Sequence, residues 1–294
     1  MHPIISSPAP GEPNLPKPES LRLACLRLLQ VKATQDKAAR VRATDTVRCT
    51  LDAAEIFPEP PGLPGRPQRP LLVQPAQLKT RAVGTLEGRA GLIHALTHIE
   101  ANAINLALDM VWRFAGMPNE FYRDWWRVAQ EESLHFELLN AHLNRMGFAY
   151  GDFPAHDGLW DMAERTKNDV LARLALVPRT LEARGLDATP AVRMRLVSAG
   201  DLAAAKILDI ILRDEIGHVA IGNRWYRFLC ELRQLDPLSS YAELALRYQA
   251  PTLKGPFNLD ARRAAGFTEA ELSALNSAPS LRAIRTRPDT AHGP

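Results

Sequence analysis

RDEIGHVAIG, from Arg213 to Gly222, places Glu215 and His218 three residues apart in a largely apolar run. Residues at that separation share one face of an α-helix. The neighbours on that face, Ile211, Leu212, Val219 and Gly222, are apolar or small. The acid and the imidazole therefore point into a core. EESLHFELL, Glu131–Leu139, repeats the arrangement. Both stretches read acid-Glu-x-x-His: Glu131, Glu132 and His135 in one, Asp214, Glu215 and His218 in the other. Around Glu132 the same face carries Val128, Ala129, Phe136 and Leu139.

A lone Glu-x-x-His on a helix is usually a solvated face. Two copies on apolar faces are different, because a buried unpaired carboxylate costs several kcal/mol or takes up a proton. A pair of divalent cations supplies the missing charge, with carboxylates bridging and each neutral imidazole in a terminal position. Dimetal carboxylate bundles combine a Glu-x-x-His from each of two helices with one Glu from each of two others. Two further glutamates are therefore expected. Glu100, in HIEANAIN, has Leu96, Ala103, Ile104 and Ala107 on its face. Glu182 stands in RTLEARG. His94 and His98 point well away from Glu100 and are not expected as ligands.

The helical pattern frames these residues. A first long helix is expected from Leu86 to Phe114, stopped by Ala115-Gly-Met-Pro118. A second runs from Asn119 to Met146. A third begins near Leu159 or later, is interrupted by Gly185-Leu-Asp-Ala-Thr-Pro190, and resumes over Ala191–Ala199. A fourth runs from Asp201 to Leu232. Glu100 to Glu132 spans 32 residues and Glu182 to Glu215 spans 33. The midpoints fall at Gly116 and in SAGD, so the chain reads as two copies of one helical hairpin. The connection between the hairpins is tight. The third helix should therefore start nearer Ala163, or its ligand is Asp169; the hairpin symmetry favours Glu182. Pro178, one turn before Glu182, predicts a kink.

Residues 1–19 read as a Pro-rich arm. Ser20 is a candidate cap for a helix carrying Leu21, Leu23, Leu26, Leu28 and Leu29, and a second helical stretch is expected to run to about Asp52. FPEPPGLPGRPQRP, Phe57–Pro70, holds too many prolines for helix or central strand and should be an extended strap. After the fourth helix come a short helix over Leu238–Arg247, the loop APTLKGPFNLD and a last helix capped by Thr268, with Glu269 and Glu271 in its first turn. RAIRTRPDT reads as a basic tail. The reading is all-α: an N-terminal region over 1–85, a four-helix bundle over 86–233 and a C-terminal extension over 234–294.

HIEANAINLALD, EESLHF, LVPRTLEARGLDATP, RDEIGHVAIG and LKGPFNLDARRAAGF make the chain resemble the ferritin-like di-iron carboxylate superfamily. More narrowly, it resembles an uncharacterised bacterial ferritin-like family, itself distantly similar to the ferritin-like di-iron tRNA hydroxylase. The resemblance extends from about Ala90 to Gly266. It implies a ferritin-like four-helix bundle, two metal ions, and Glu100, Glu132, His135, Glu182, Glu215 and His218 as their ligands. It supplies no substrate.

Other residues carry blander readings. Glu131 and Asp214 are expected to orient the histidines or to be surface charges. His142 is expected at the surface. Trp225, Tyr122, Trp125 and Trp126 read as packing, and Arg81, Arg89, Arg193 and Arg195 as scattered cations offering RNA only a weak site.

Of 294 residues, 46% are hydrophobic and 23% charged, the balance of a soluble globular chain. A net charge of +3 is too mild to point to nucleic acid or membrane. Cys25, Cys49 and Cys230 form no CxxC pair and read as reduced cytoplasmic thiols. MHPIISSPAPGEPNLPKPES lacks the apolar stretch of a signal peptide. The expected activity is that of a non-haem di-iron oxidoreductase, an oxygen-activating oxidase or hydroxylase with a small-molecule substrate. No GxGxxG or cysteine cluster is present, so an external electron donor is expected. Iron is the expected metal, with manganese as alternative. Iron handling by a ferroxidase, a manganese catalase-like activity and a helical scaffold are the competing readings; the long extensions argue against a storage cage.

Overall fold

The computed structural model describes residues 19–46, 49–79 and 81–277. Residues 1–18 of the expected arm and the basic tail lie outside the described residues. Every regular element among the described residues is helical. Extended backbone pairs only in two isolated bridges, Ser20 with Thr50 and Leu72 with Ala155.

Two antiparallel hairpins make the centre. α1 (Leu21–Gln30) and α2 (Thr34–Ala43) precede them. α3 (Leu86–Arg113) and α4 (Asn119–Arg145) form the first hairpin. Thr85 starts α3 by accepting from the Gly88 N–H, and Gly116, at φ +78°, makes the turn. The second hairpin has a broken first arm: α5 (Gly158–Arg165), α6 (Val170–Leu176), a wide π turn over Val177–Glu182, and α7 (Ala183–Ser198). Its other arm is α8 (Leu202–Leu232), capped by Asp201. α9 (Pro237–Arg247), α10 (Leu259–Ala264) and α11 (Glu269–Ser277) follow. α4 packs on α8 and joins the hairpins.

Several sequence expectations need correction. The second helix ends at Ala43, well short of Asp52, because the Thr44 hydroxyl takes the Arg40 carbonyl and the chain turns extended to pair Thr50 with Ser20. Ser20 stands at the cap of α1 but its hydroxyl caps nothing; the Leu21 N–H goes to the Thr50 carbonyl instead. The interruption expected at Gly185–Pro190 is absent, and α7 runs straight through it. Proline at 190 frees the carbonyl four residues earlier, and Asn258 donates its amide to that Leu186 carbonyl at 3.2 Å. The break falls instead at Thr166–Asp169, before α6, which shortens the climb between the hairpins. α10 was not expected, although Asn258 caps it by accepting from the Ala261 N–H.

The kink at Pro178 is present as the π turn. Proline has no N–H to give to the helical ladder, and the Thr180 hydroxyl takes the Ala175 carbonyl at 2.8 Å. The strap over Phe57–Pro70 is extended and presses on α1, its Gly65 N–H bonding the Leu29 carbonyl at 2.8 Å. A Cβ at Gly65 would sit 2.1 Å from the Gln30 oxygen, so only glycine permits this approach. The fully buried Arg22 guanidinium binds the Val111 and Trp112 carbonyls at the C-terminal end of α3 and the Ala53 carbonyl of the strap side.

One apolar cluster includes Ile104, Leu108, Trp125, Phe136, Leu176, Ile221 and Trp225; another includes Ile93, Leu139, Leu143, Leu208 and Ile211. The acid and histidine positions fall between the two along α3 and α8, and on α4 lie between Ala129 and Phe136 of the first, close to Leu139 of the second. No described helix is long and apolar enough to cross a membrane.

Candidate metal centre

Glu132 is the hub. Its two oxygens face one imidazole each: Oε2 lies 3.2 Å from His135 Nδ1, and Oε1 lies 2.9 Å from His218 Nδ1. The rings are 5.9 Å apart between centroids. Glu100 Oε2 is 3.6 Å from His135 Nδ1, and Glu215 Oε2 is 3.8 Å from His218 Nδ1. Glu132 is 1% exposed, Glu100 3%, Glu215 8% and both histidines 0%. One ligand atom from each of Glu100, Glu132, His135 and Glu215 lies within 4.8 Å of the other three.

The far nitrogens of the two rings cross over. His135, on α4, donates Nε2–H to Asp214 of α8 at 3.0 Å, and His218, on α8, donates Nε2–H to Glu131 of α4 at 2.7 Å. An acid on one imidazole nitrogen holds the outer proton and turns the other nitrogen inward, as in carboxylate–histidine–metal arrangements. Both acid-Glu-x-x-His motifs therefore work as interlocked halves. The sequence supplied the residues, but not that each flanking acid serves the opposite helix.

Glu182 approaches through the π turn. The residue is partly exposed, but its Oε2 is buried, because the stem sits at the surface and the carboxyl turns inward. Glu182 feels the charges of Glu132 and His218. Asp169, the alternative position, caps α6 by accepting from the Leu171 and Ala172 N–H groups. His94 accepts from the Gly151 N–H, and His98 bonds Tyr150 and the His156 carbonyl, both away from the cluster. His142 is not at the surface as expected: it is 6% exposed and paired with Asp201 at 2.9 Å, which closes the far end of the α4–α8 contact. Trp225, Tyr122, Trp125 and Trp126 are buried in the core.

Burial and mutual charge set the protonation of the cluster. Burial, then the neighbouring Glu132, push Glu100 up to about 8. Burial and Glu132 push Glu182 up to about 8 as well. Burial drives Glu215 well above the carboxylate range, with Glu132 adding to it. Burial also acts on Glu132, yet His218 and His135 outweigh it and hold this carboxyl well below the usual range. Burial opposes protonation of both histidines. It is overcome at His135 by Asp214, Glu100 and Glu132, and at His218 by Glu132 and Glu131.

The residues fit a metal on their own chemistry. Glu100 Oε2, Glu182 Oε2 and Glu215 Oε2 are buried without a hydrogen-bond partner among the described residues, and His218 Nδ1, though close to Glu132 Oε1, is not aligned to bond it. Buried polar atoms are almost always satisfied. Four inward-facing exceptions, all oxygen or imidazole donors, are the donor set that iron, manganese and zinc accept.

Comparison with known proteins shows a family and names no chemistry. Residues 30–273 match the family described as "Protein of unknown function (DUF455)". The chain belongs to this DUF455 family. A Haemophilus influenzae protein described as uncharacterized is 51% identical over 228 residues, covering 75% of this chain and 79% of that protein. No solved structure matches. The DUF455 match contains the whole cluster, from Glu100 to His218, and α10 with the start of α11.

Proposed function

We propose that this DUF455 chain is a dimetal carboxylate protein of ferritin-like architecture, and that it is an oxygen-activating oxidoreductase. The observation that carries the reading is Glu132 set between two inward-facing Nδ1 atoms, with each Nε2 anchored to an acid of the opposite helix. In this reading Glu100, Glu132, His135, Glu182, Glu215 and His218 hold two divalent ions. A redox-active pair such as iron would supply electrons to dioxygen, and manganese is the alternative that the same donors admit.

The chain's own residues prepare the site. Asp214 and Glu131 hold the outer imidazole protons, so Nδ1 would be free to coordinate once its own proton leaves. Phe136 and Val219, both buried beside the cluster, exclude water and strengthen the electrostatics within it. Glu100, Glu182 and Glu215, with the inner nitrogens of His135 and His218, would release their protons as ions bound. Electrons for turnover would come from an external donor, and the substrate would be a small molecule.

The test is metal content per chain, on protein purified without chelator and again after anaerobic Fe(II) loading, followed by oxygen uptake. About two ions per chain, the number this ligand recipe holds, with oxygen consumed on exposure to air, are expected. No bound metal after loading would overturn the reading.

A further inference from the structure

The C-terminal segment from Asn258 to Glu271 grips the chain on both sides of Glu182, by the Arg179 side chain before it and by backbone carbonyls after it. Before it, the Arg179 guanidinium is 3% exposed. It donates Nε–H to Asn223 of α8 at 2.5 Å and Nη2–H to Glu271 of α11. It also lies over the Tyr226 ring at 4.0 Å and near Phe267 at 5.4 Å. Glu271 is itself held: its second oxygen accepts from the Thr268 N–H at 2.7 Å and from Arg227 at 3.0 Å. Asn223 ties back by donating to the Ala265 carbonyl at 2.7 Å. After Glu182, Arg262 is 1% exposed, pairs with Asp187 at 2.6 Å and reaches the Ala183 carbonyl at 3.4 Å. Asn258 takes the Leu186 carbonyl that Pro190 cannot use.

These contacts are costly to build. Two guanidinium groups are withdrawn from water, and breaking one partner of such a pair is strongly destabilising. They converge on the one candidate ligand that no regular helix positions. A π turn leaves the ladder of hydrogen bonds incomplete, so the direction of Glu182 needs an outside restraint. Pro178 on the other side of the turn packs directly against Gly222 of α8.

We infer that the C-terminal segment is a working part of the metal centre: Arg179 with Glu271, and Arg262 with Asp187, are positioning residues that aim Glu182 at the site. The inference rests on the dimetal reading. It makes occupancy of the Glu182 side of the site dependent on docking of α10 and α11.

Cobalt(II) titration of the full-length chain tests it, read by the visible absorption of the bound ion and by affinity. Glu271→Gln keeps an oxygen for the Thr268 N–H but removes the charge from Arg179. Weakening of one cobalt equivalent by about tenfold or more, the usual cost of losing an outer partner of a ligand, with a changed spectrum, is expected. Glu269→Gln makes the same charge change two residues earlier in α11, at an exposed acid paired with Arg263 rather than Arg179, and should bind cobalt as the wild type does. On a Glu182→Gln background, Glu271→Gln should add nothing further. Should Glu271→Gln not fold, Arg179→Lys gives the same comparison. Unchanged affinity and spectrum in the clamp variant, an equal loss in Glu269→Gln, or additive losses in the double variant would each overturn the positioning role. Wild-type protein that binds no cobalt would instead overturn the dimetal reading, and this inference with it.

Discussion

Glu100 stands inside an unbroken helix, α3, whereas Glu182 ends a π turn between two shorter helices. Both belong to hairpins whose partner arm carries acid-Glu-x-x-His. On α3, helical periodicity alone puts Glu100 on the buried face. On the second hairpin Pro178 prevents that, and the carboxyl is directed by packing from α8 and the C-terminal segment. The two hairpins are also anchored differently. Around the first, buried Arg22 and Lys37 meet neutral acceptors, Arg22 on carbonyls and Lys37 on the Leu29 and Gly65 carbonyls and Asn105 Oδ1, beside an Asp109 that takes the buried Arg173 of α6. The second is held by buried arginines that meet carboxylates, Glu271 and Asp187. A repeated motif thus needs no repeated backbone, provided each copy has its own support.

The largest expected effect removes what the two hairpins share. Glu132→Gln takes away the one carboxylate between both imidazoles, and metal analysis should find both ions lost. Glu100→Gln and Glu182→Gln should each retain one ion; equal loss in all three would mean the hairpins do not contribute separately.

The next effect separates the two anchoring styles by pH. Burial, with Arg66 nearby, lowers the Lys37 ammonium to about 7. Unfolded, it titrates near its usual 10.5. Between those values the unfolded chain binds a proton that the folded chain does not. The contribution from Lys37 is therefore full above 10.5 and is lost as pH falls through about 7. Stability should rise from pH 7 towards 10 by an amount on the order of a few kcal/mol from this group. Denaturant unfolding of Lys37→Met should show that slope flattened; an unchanged slope would remove Lys37 from the account.

A smaller effect compares two glycines of α8. A Cβ at Gly222 would lie 2.6 Å from the Pro178 ring, while at Gly217 nothing lies within 4 Å. Gly222→Ala should cost about 1–3 kcal/mol by overpacking. Gly217→Ala should stabilise by roughly 0.5–1 kcal/mol through helix propensity. Thermal unfolding reads both, and similar shifts would mean that α8 does not press on the π turn. The smallest effect concerns Asp169. Asp169→Ala should cost about 1 kcal/mol by loss of the α6 cap and leave metal content as it was; a lost ion would restore Asp169 as the ligand in place of Glu182.

Much of this was legible in the sequence where a single helix decides the outcome. The ends of α3, α4 and α8, the turn at Gly116, the kink at Pro178 and the inward faces of Glu100, Glu132 and Glu215 follow from periodicity, caps and proline. His142 was misread because its partner, Asp201, is remote in sequence and meets it only when α4 packs on α8. The Gly185–Pro190 stretch looked like a break because its remedy, Asn258, lies on a distant segment.

By itself, then, the chain determined an all-helical fold and a duplicated set of acids and histidines on buried faces, because both depend on spacing along one helix. Only the tertiary structure decided which acid serves which histidine, how Glu182 is aimed and what holds Pro190 within a helix. Those are contacts between segments far apart in the chain, and their geometry exists only once the helices have packed.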